Sequence, residues 1–281
     1  MAEVNKMAEV NKVADVAGVT EVNNTPEVAV VPAKPDKAEE EKPKGVSRKR
    51  GFDIESWKPI TKVGRETKAE KIKDIDEILD RGIRILESEI VDALVPNLNS
   101  DLLLIGQSKG KFGGGKKSIW RQTQKKTKEG NKPKFSALAV VGNGDGYVGI
   151  GLGRSRETVP AREKATRQAK LNIIKIRRGS GSWESAEPKP TSIPFAVEGK
   201  CGSVKMKLMP APQGTGLVIE KECRKMLQMA GIKDIYSKTA GHTKTKLNLL
   251  TACFKALKEL SAVKVKEHHI NQLGIIEGSK I

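Results

Sequence analysis

Aromatic residues are scarce in this chain: Phe, Trp and Tyr make up 4% of 281 residues. Readers of single-stranded RNA need exposed rings on which bases stack, and no RNP1-like string occurs, so that class is disfavoured. Cysteine is almost missing as well. Cys201, Cys223 and Cys253 are widely separated, no CxxC pair exists, and His242, His268 and His269 fall at no zinc spacing. This excludes a disulfide framework and a zinc site, and leads us to expect reduced, mostly buried thiols in a cytoplasmic protein. No run of 18 apolar residues is present, so no membrane span is expected. The N-terminus lacks the apolar core of a signal peptide. No HRD or DFG string and no nucleophile–base pairing occurs, and His242 in AGHTKT has no evident partner. We expect no catalysis, no metal and no cofactor.

Negative charge is also in deficit. Lys and Arg number 52 against 34 Asp and Glu, a net charge of +18. The excess is unevenly placed. Residues 1–50 hold nine basic and nine acidic side chains and are neutral. Lys109–Lys134 holds ten basic residues against one acid, Glu129, and Arg154–Arg178 holds nine against Glu157 and Glu163. Clusters of this kind are the footprint of a polyanion partner. With few aromatics, phosphate and shape recognition of structured RNA fits better than base reading. The RNA-contact candidates in the first run are Lys109, Lys111, Lys116, Lys117, Arg121, Lys125, Lys126, Lys128, Lys132 and Lys134. Those in the second are Arg154, Arg156, Arg162, Arg167, Lys170, Arg177 and Arg178.

Along the chain, residues 1–50 read as a disordered tail: MAEVNKMAEVNK is a tandem hexapeptide and AKPDKAEEEKPKG is charged and proline-bearing. Residues 51–106 form an extension leading into the first helix. Ile72, Ile75, Ile78 and Leu79 suit one helix, GIRIL a short strand, and Glu87–Leu94 a second helix stopped at Pro96. Residues 107–185 read as strand SIWRQTQ, charged loop KKTKEGNKPK, strand Phe135–Val141, a GNGDG turn, strand Val148–Leu152 and a helix from about Pro160. Ala161, Ala165, Ala169, Ile173 and Ile176 make its apolar face. Helix, three strands and a basic helix is the double-stranded-RNA-binding layout.

SGSWESAEPKPTSI is a linker by composition. Residues 190–262 then read as two strands, the loop APQGTG, a helix Leu217–Ala230 capped by Gly231, a strand KDIYSKTA and a helix Thr243–Leu260. Residues 263–281 are a C-terminal tail. The fold class is α+β: an αβββα double-stranded-RNA-binding-like domain followed by a ββαβα domain.

Three glycine-rich strings test other chemistries. Gly144, Gly146 and Gly149 fit GxGxxG, but the run continues as YVGIGLG, with period two, which is a strand rather than the helix a dinucleotide needs. One strand face then carries Val148, Ile150 and Leu152, and the other carries Gly149, Gly151 and Gly153. Each strand glycine costs about 0.5–1 kcal/mol, so something approaches this backbone closely. An RNA backbone or the second domain would explain it, and so would a tightly twisted hairpin. GKFGGGKKS nearly fits a phosphate loop, but Lys117 stands where Ser or Thr would hold magnesium. A basic loop touching phosphates fits better, with a plain surface loop as the alternative. PAPQGTG (Pro210–Gly216) reads either as a phosphate-binding helix N-terminus or as a tight turn into a core helix.

Several strings in this order resemble the small-subunit ribosomal protein S-five family. They are QTQKKTKEGNKPKFSALAVVGNGDGYVGIGLG, ETVPAREKATRQAK, GKCGSVKMKLMPAPQGTG and MAGIKDIYSKTAGHTKTKLN. The resemblance covers about Trp57 to Leu260, and the QSKGKFGGGKK and WKPITKVGR segments look like its archaeal type. It implies a structural part of the small ribosomal subunit in the cytoplasm, bound to rRNA and lining the path by which mRNA enters. It implies proteins S-three, S-four and S-eight as neighbours, and the segment Lys125–Lys134 reaching toward decoding-side rRNA. It also implies that Pro210, Gln213, Gly214, Thr215 and Gly216 face protein S-four and bear on translational accuracy. From the residues alone, a free-standing double-stranded-RNA-binding regulatory module and an NTP-dependent RNA enzyme stay open beside it.

Overall fold

The computed structural model of the chain describes residues 54, 56–95, 97–108, 117–185 and 187–279. The tail reading for 1–50 lies outside them. In chain order the elements are α1 (Lys62–Lys68), α2 (Ile75–Asp80), α3 (Ser88–Leu94), β1 (Asn99–Leu103), β2 (Arg121–Thr127), β3 (Gly130–Gly142), β4 (Tyr147–Ser155), α4 (Thr158–Leu171), β5 (Ile173–Lys175) and β6 (Arg177–Arg178). They continue with β7 (Val197–Cys201), β8 (Val204–Pro210), β9 (Leu217–Val218), α5 (Lys221–Met229), β10 (Ile235–Ala240), α6 (Lys246–Ala262), α7 (Glu267–Leu273) and β11 (Ile276–Glu277).

The run Ala137–Val141 is apolar at every position because both faces of β3 are buried. A strand buried on both sides loses the in–out alternation of a half-exposed one. β3 is the spine of the first sheet, whose order is β1-β3-β4-β5 with β2 also on β3. β1 pairs with residues 138–142 and β2 with residues 130–136 along the same edge of β3. β4 takes the opposite edge and ends at the Phe135↔Ser155 pair.

One face of this sheet is closed by α4, and here the glycines find their reason. A Cβ built on Gly151 would lie 2.1 Å from the Ala169 nitrogen and 2.3 Å from the Ala165 oxygen. On Gly149 it would meet the Ala169 oxygen at 2.2 Å, and on Gly153 the Ala161 oxygen at 2.1 Å. The occupant of the glycine face is therefore the helix of the same domain, and neither RNA nor the second domain. Ala161, Ala165 and Ala169 are its buried side. The helix starts at Thr158 rather than Pro160 and ends at Leu171, so Ile173 and Ile176 lie beyond it. Pro160 falls in the first turn, where its missing N–H costs nothing.

The other face carries Leu138, Val140, Val148 and Ile150. These share one core with Met206 and Leu208 of β8, Cys223, Met226 and Leu227 of α5, and Leu250 and Leu257 of α6. The second sheet has the order β7-β8-β10-β9. The buried Glu222 carboxylate of α5 accepts the Leu104 N–H just after β1, at 3.0 Å. Residues 263–281, read as a tail, include α7 and β11, and β11 pairs antiparallel with β6.

α1, α2 and α3 form a smaller core of Trp57, Ile72, Ile75, Ile78, Ile85, Ile90 and Val91 that meets Tyr147 and Ile173. The sequence gives no hint of α1. The GIRIL stretch makes no strand, and α2 begins only at Ile75.

Candidate nucleic-acid interface

SIWRQTQKKTKEGNKPKFSALAVVG reads as a hairpin with KKTKEGNKPK as its loop, and the hairpin is present, but KKTKEGNKPK is itself strand: β2 and β3 pair without a break from Arg121↔Ser136 to Thr127↔Gly130. Only Lys128 and Glu129 form the turn, and Gly130 takes φ +112°. β4 reaches no farther than Phe135, so the outer half of the hairpin is a two-stranded arm with exposed side chains beyond the sheet. Strand sequence rules look for a buried apolar face, and this arm has none.

Register sorts the cations. Directly opposed residues of an antiparallel pair share a face. The Arg121↔Ser136↔Arg154, Thr123↔Lys134 and Lys125↔Lys132 pairings put Arg121, Lys125, Lys132, Lys134 and Arg154 on one face. Lys126 opposes Asn131 on the other face, and Lys128 stands at the tip. All seven are exposed. Lys132 is met by Glu129 at 2.8 Å. Between the arm and the start of α4 runs a groove of about 710 Å³ lined by Lys125, Lys132, Lys134, Arg156, Glu157 and Lys164, among others. Lys164 is a lining cation absent from the sequence-based candidates. Its position in the second turn of a helix that begins beside the hairpin is the signal that could have found it. Arg162 is exposed on the same helix.

Other candidates make contacts within the chain. Lys170 binds Asp92 at 2.6 Å and Arg167 meets Glu89 at 3.5 Å, so these two clasp α4 to α3. Burial works against ionisation of Glu89, but its hydrogen bonds and the Arg167 charge outweigh this and hold its pKa below the usual carboxylate value. Arg177 is turned inward. It donates to Glu277 and to the carbonyls of Leu260 and Val263, joining β6 to β11 and to the end of α6. Arg178 donates to the Gly278 carbonyl at 3.2 Å, its side chain 11% exposed, with Asp145 at 3.9 Å. Desolvation lowers its pKa. Charge alone suggested RNA contacts at Arg177 and Arg178; burial makes them internal ties. Lys117 is exposed in a bridge with Ser108. Lys109, Lys111 and Lys116 lie outside the described residues.

The Pro210–Gly216 loop does not open a helix. It leads into β9, an edge strand parallel to β10, while α5 starts later and is capped by the Glu220 carboxylate. That corrects the phosphate reading, because the cap already occupies the first N–H groups. Gln213 and Gly214 are exposed, and Gly214 and Gly216 have φ of +86° and +74°. The Gly216 N–H is held by Asp234 at 2.8 Å. Cys223 and Cys253 are buried free thiols, and their mutual hydrogen bond, with burial second, pushes the Cys223 pKa up. Among the described residues no group of three or more His, Cys, Asp or Glu is placed to hold a metal ion, and no helix is long and apolar enough to cross a membrane.

Comparison with known proteins agrees with this layout. Residues 119–177 match the family described as ribosomal protein S5, N-terminal domain, and residues 199–269 match ribosomal protein S5, C-terminal domain. The small ribosomal subunit protein uS5 of Nanoarchaeum equitans is 51% identical over 229 residues, 82% of this chain and 98% of the relative. The protein of that name from Methanocaldococcus jannaschii is 44% identical over 227 residues, 81% of this chain and 98% of its own. In Methanococcus maripaludis the figures are 42% over 232 residues, 83% and 96%. With its arm, its glycine–alanine packed helix and both matched domains in one order, the chain belongs to the ribosomal protein S5 family, archaeal type.

Proposed function

We propose that the protein is a non-catalytic, structural constituent of the small ribosomal subunit in the cytoplasm, bound to rRNA chiefly through the arm. The observation that carries this reading is the register, which sets four cations on one face of a hairpin, with Arg154 of β4 beside its base, and the outer half of that hairpin has no core to serve. Neutralising phosphates releases counterions and supplies affinity without reading sequence. The folded strands hold the charges at fixed spacing, so little order has to be gained on binding. The groove beside α4 adds Arg156 and Lys164 to the same contact.

The resemblance supports a finer placement as part of this reading. The chain lines the path by which mRNA enters, beside proteins S-three, S-four and S-eight. Gln213, Gly214 and Thr215, with the flanking Pro210 and Gly216, face protein S-four and bear on accuracy. An exposed turn next to an edge strand is suited to such a contact.

The test is sedimentation of a lysate containing this chain through a sucrose gradient after a high-salt wash. The chain is expected to stay with the small subunit in stoichiometric amount. Recovery at the top of the gradient would instead make it a free-standing RNA-binding module.

A further inference from the structure

The second sheet has α6 packed on one side and solvent on the other. In β8, Val204, Met206 and Leu208 are buried while Lys205 and Lys207 point out. In β7, Gly199 lies under α6, where a Cβ would be 2.1 Å from the Ala252 oxygen, and Lys200 points out. Cross-strand pairing builds rows on the outer face. Lys200 opposes Lys205, and Lys207 sits between Glu198 and Lys238. Next to these, Met209, Tyr236 and Val218 form a third row, with Tyr236 39% and Val218 49% exposed.

Like charges placed directly opposite each other destabilise a sheet. This face has two such pairs, Lys200 with Lys205 and Lys207 with Lys238. Among the described residues, only Lys207 of the four meets a carboxylate, Glu198 at 3.4 Å. A face shaped only for stability would alternate its signs. Lysines two apart on a strand are separated by about 7 Å, and neighbouring strands by about 4.8 Å, which makes a planar lattice of flexible cations. Protein interfaces, in contrast, have cores depleted of charge, and the centre of this face is charge.

We infer that the outer face of the second sheet is a second RNA-backbone surface, with Lys200, Lys205, Lys207 and Lys238 neutralising phosphates and Tyr236 stacking at its margin. It is separate from the arm. The inference rests on the reading that the chain binds rRNA.

The experiment compares the full chain, the K200A/K205A/K207A/K238A variant and the arm variant K125A/K126A/K128A. Affinity for a transcript of archaeal small-subunit rRNA is followed by filter binding across a range of KCl. Each lost phosphate contact flattens the log–log slope by about 0.7–0.9, so the sheet variant is expected to lose about 3 in slope with no loss of thermal stability. The Lys→Arg version of the same four positions keeps the parent slope. An unaltered slope in the alanine variant, with the arm variant flattened, overturns the inference and leaves the rRNA reading in place. A parent chain without salt-dependent binding removes both. An unaltered slope combined with loss of the variant from assembled subunits assigns the face to an acidic protein, which also overturns it.

Discussion

At the scale of single residues, contact distance decides more than residue type. Gly151 faces backbone atoms of α4, and backbone cannot rotate away as a flexible side chain can. Gly151→Ala is therefore expected to lower stability by about 1–3 kcal/mol, the usual cost of overpacking. Urea unfolding of the purified chain checks this, and parental stability in the variant would mean that α4 does not lie so close. Gly144 is the matched control. It already has φ +81° but has nothing within 4 Å of its Cβ position, so its substitution strains only the turn. The sequence shows both halves of this contact, glycine at every second position of β4 and alanine at every fourth of α4. It does not show that the halves face each other, because pairing is a three-dimensional fact that spacing cannot supply. The same holds for Arg177 and Arg178. Their charge is visible in the sequence, but the carbonyls and Glu277 that hold them come from about 80–100 positions farther along the chain.

At the scale of elements, what was legible is what buries an apolar stripe. The strands of the sheet interior, α4, α5 and α6 are all evident from periodicity, with ends shifted by a few residues. The outer half of the hairpin reads as loop because nothing in it is buried, and α1 gives no signal because Val63 is the only large apolar residue in KVGRETK. α1 owes its place to one carboxylate. Glu87, the N-cap residue of α3, accepts the Ile60 N–H at 3.0 Å, the Thr61 N–H and the Trp57 indole N–H at 3.1 Å. Burial pushes the Glu87 pKa upward, but these hydrogen bonds together outweigh it, and the pKa lies below its usual value. A carboxylate with a depressed folded-state pKa adds stability above its unfolded value of about 4.3, and that contribution is lost as pH falls through the folded pKa. The full chain should thus be more stable than Glu87→Gln at pH 7, with the gap closing below about pH 4. A gap of constant size across pH, measured by denaturant titration, would show that the effect is not the charge.

At the scale of the whole molecule, the first sheet is shared property. α4 covers one face and the second half of the chain covers the other, so neither half keeps its core without its partner. The Glu222 tie to Leu104, the β11–β6 pair and the Arg177 fork cross the same boundary. Unfolding of residues beyond the tail is expected to be one transition, with tryptophan fluorescence and far-ultraviolet circular dichroism giving the same midpoint. Trp57 and Trp120 lie in the first half, while Trp183 is 91% exposed in the segment that joins the halves, so two separated midpoints would show that the halves melt independently. The arm carries a last consequence, for the protein before it meets RNA. β2 is an edge strand whose outer N–H and C=O groups have no strand beside them, the geometry that invites a second copy to add on. Arg121, Lys125 and Lys126 repel such a copy. The charges proposed to serve binding are thus also the guard of the unassembled chain, and a stray polyanion that neutralises them without covering the edge is expected to promote edge-to-edge aggregation.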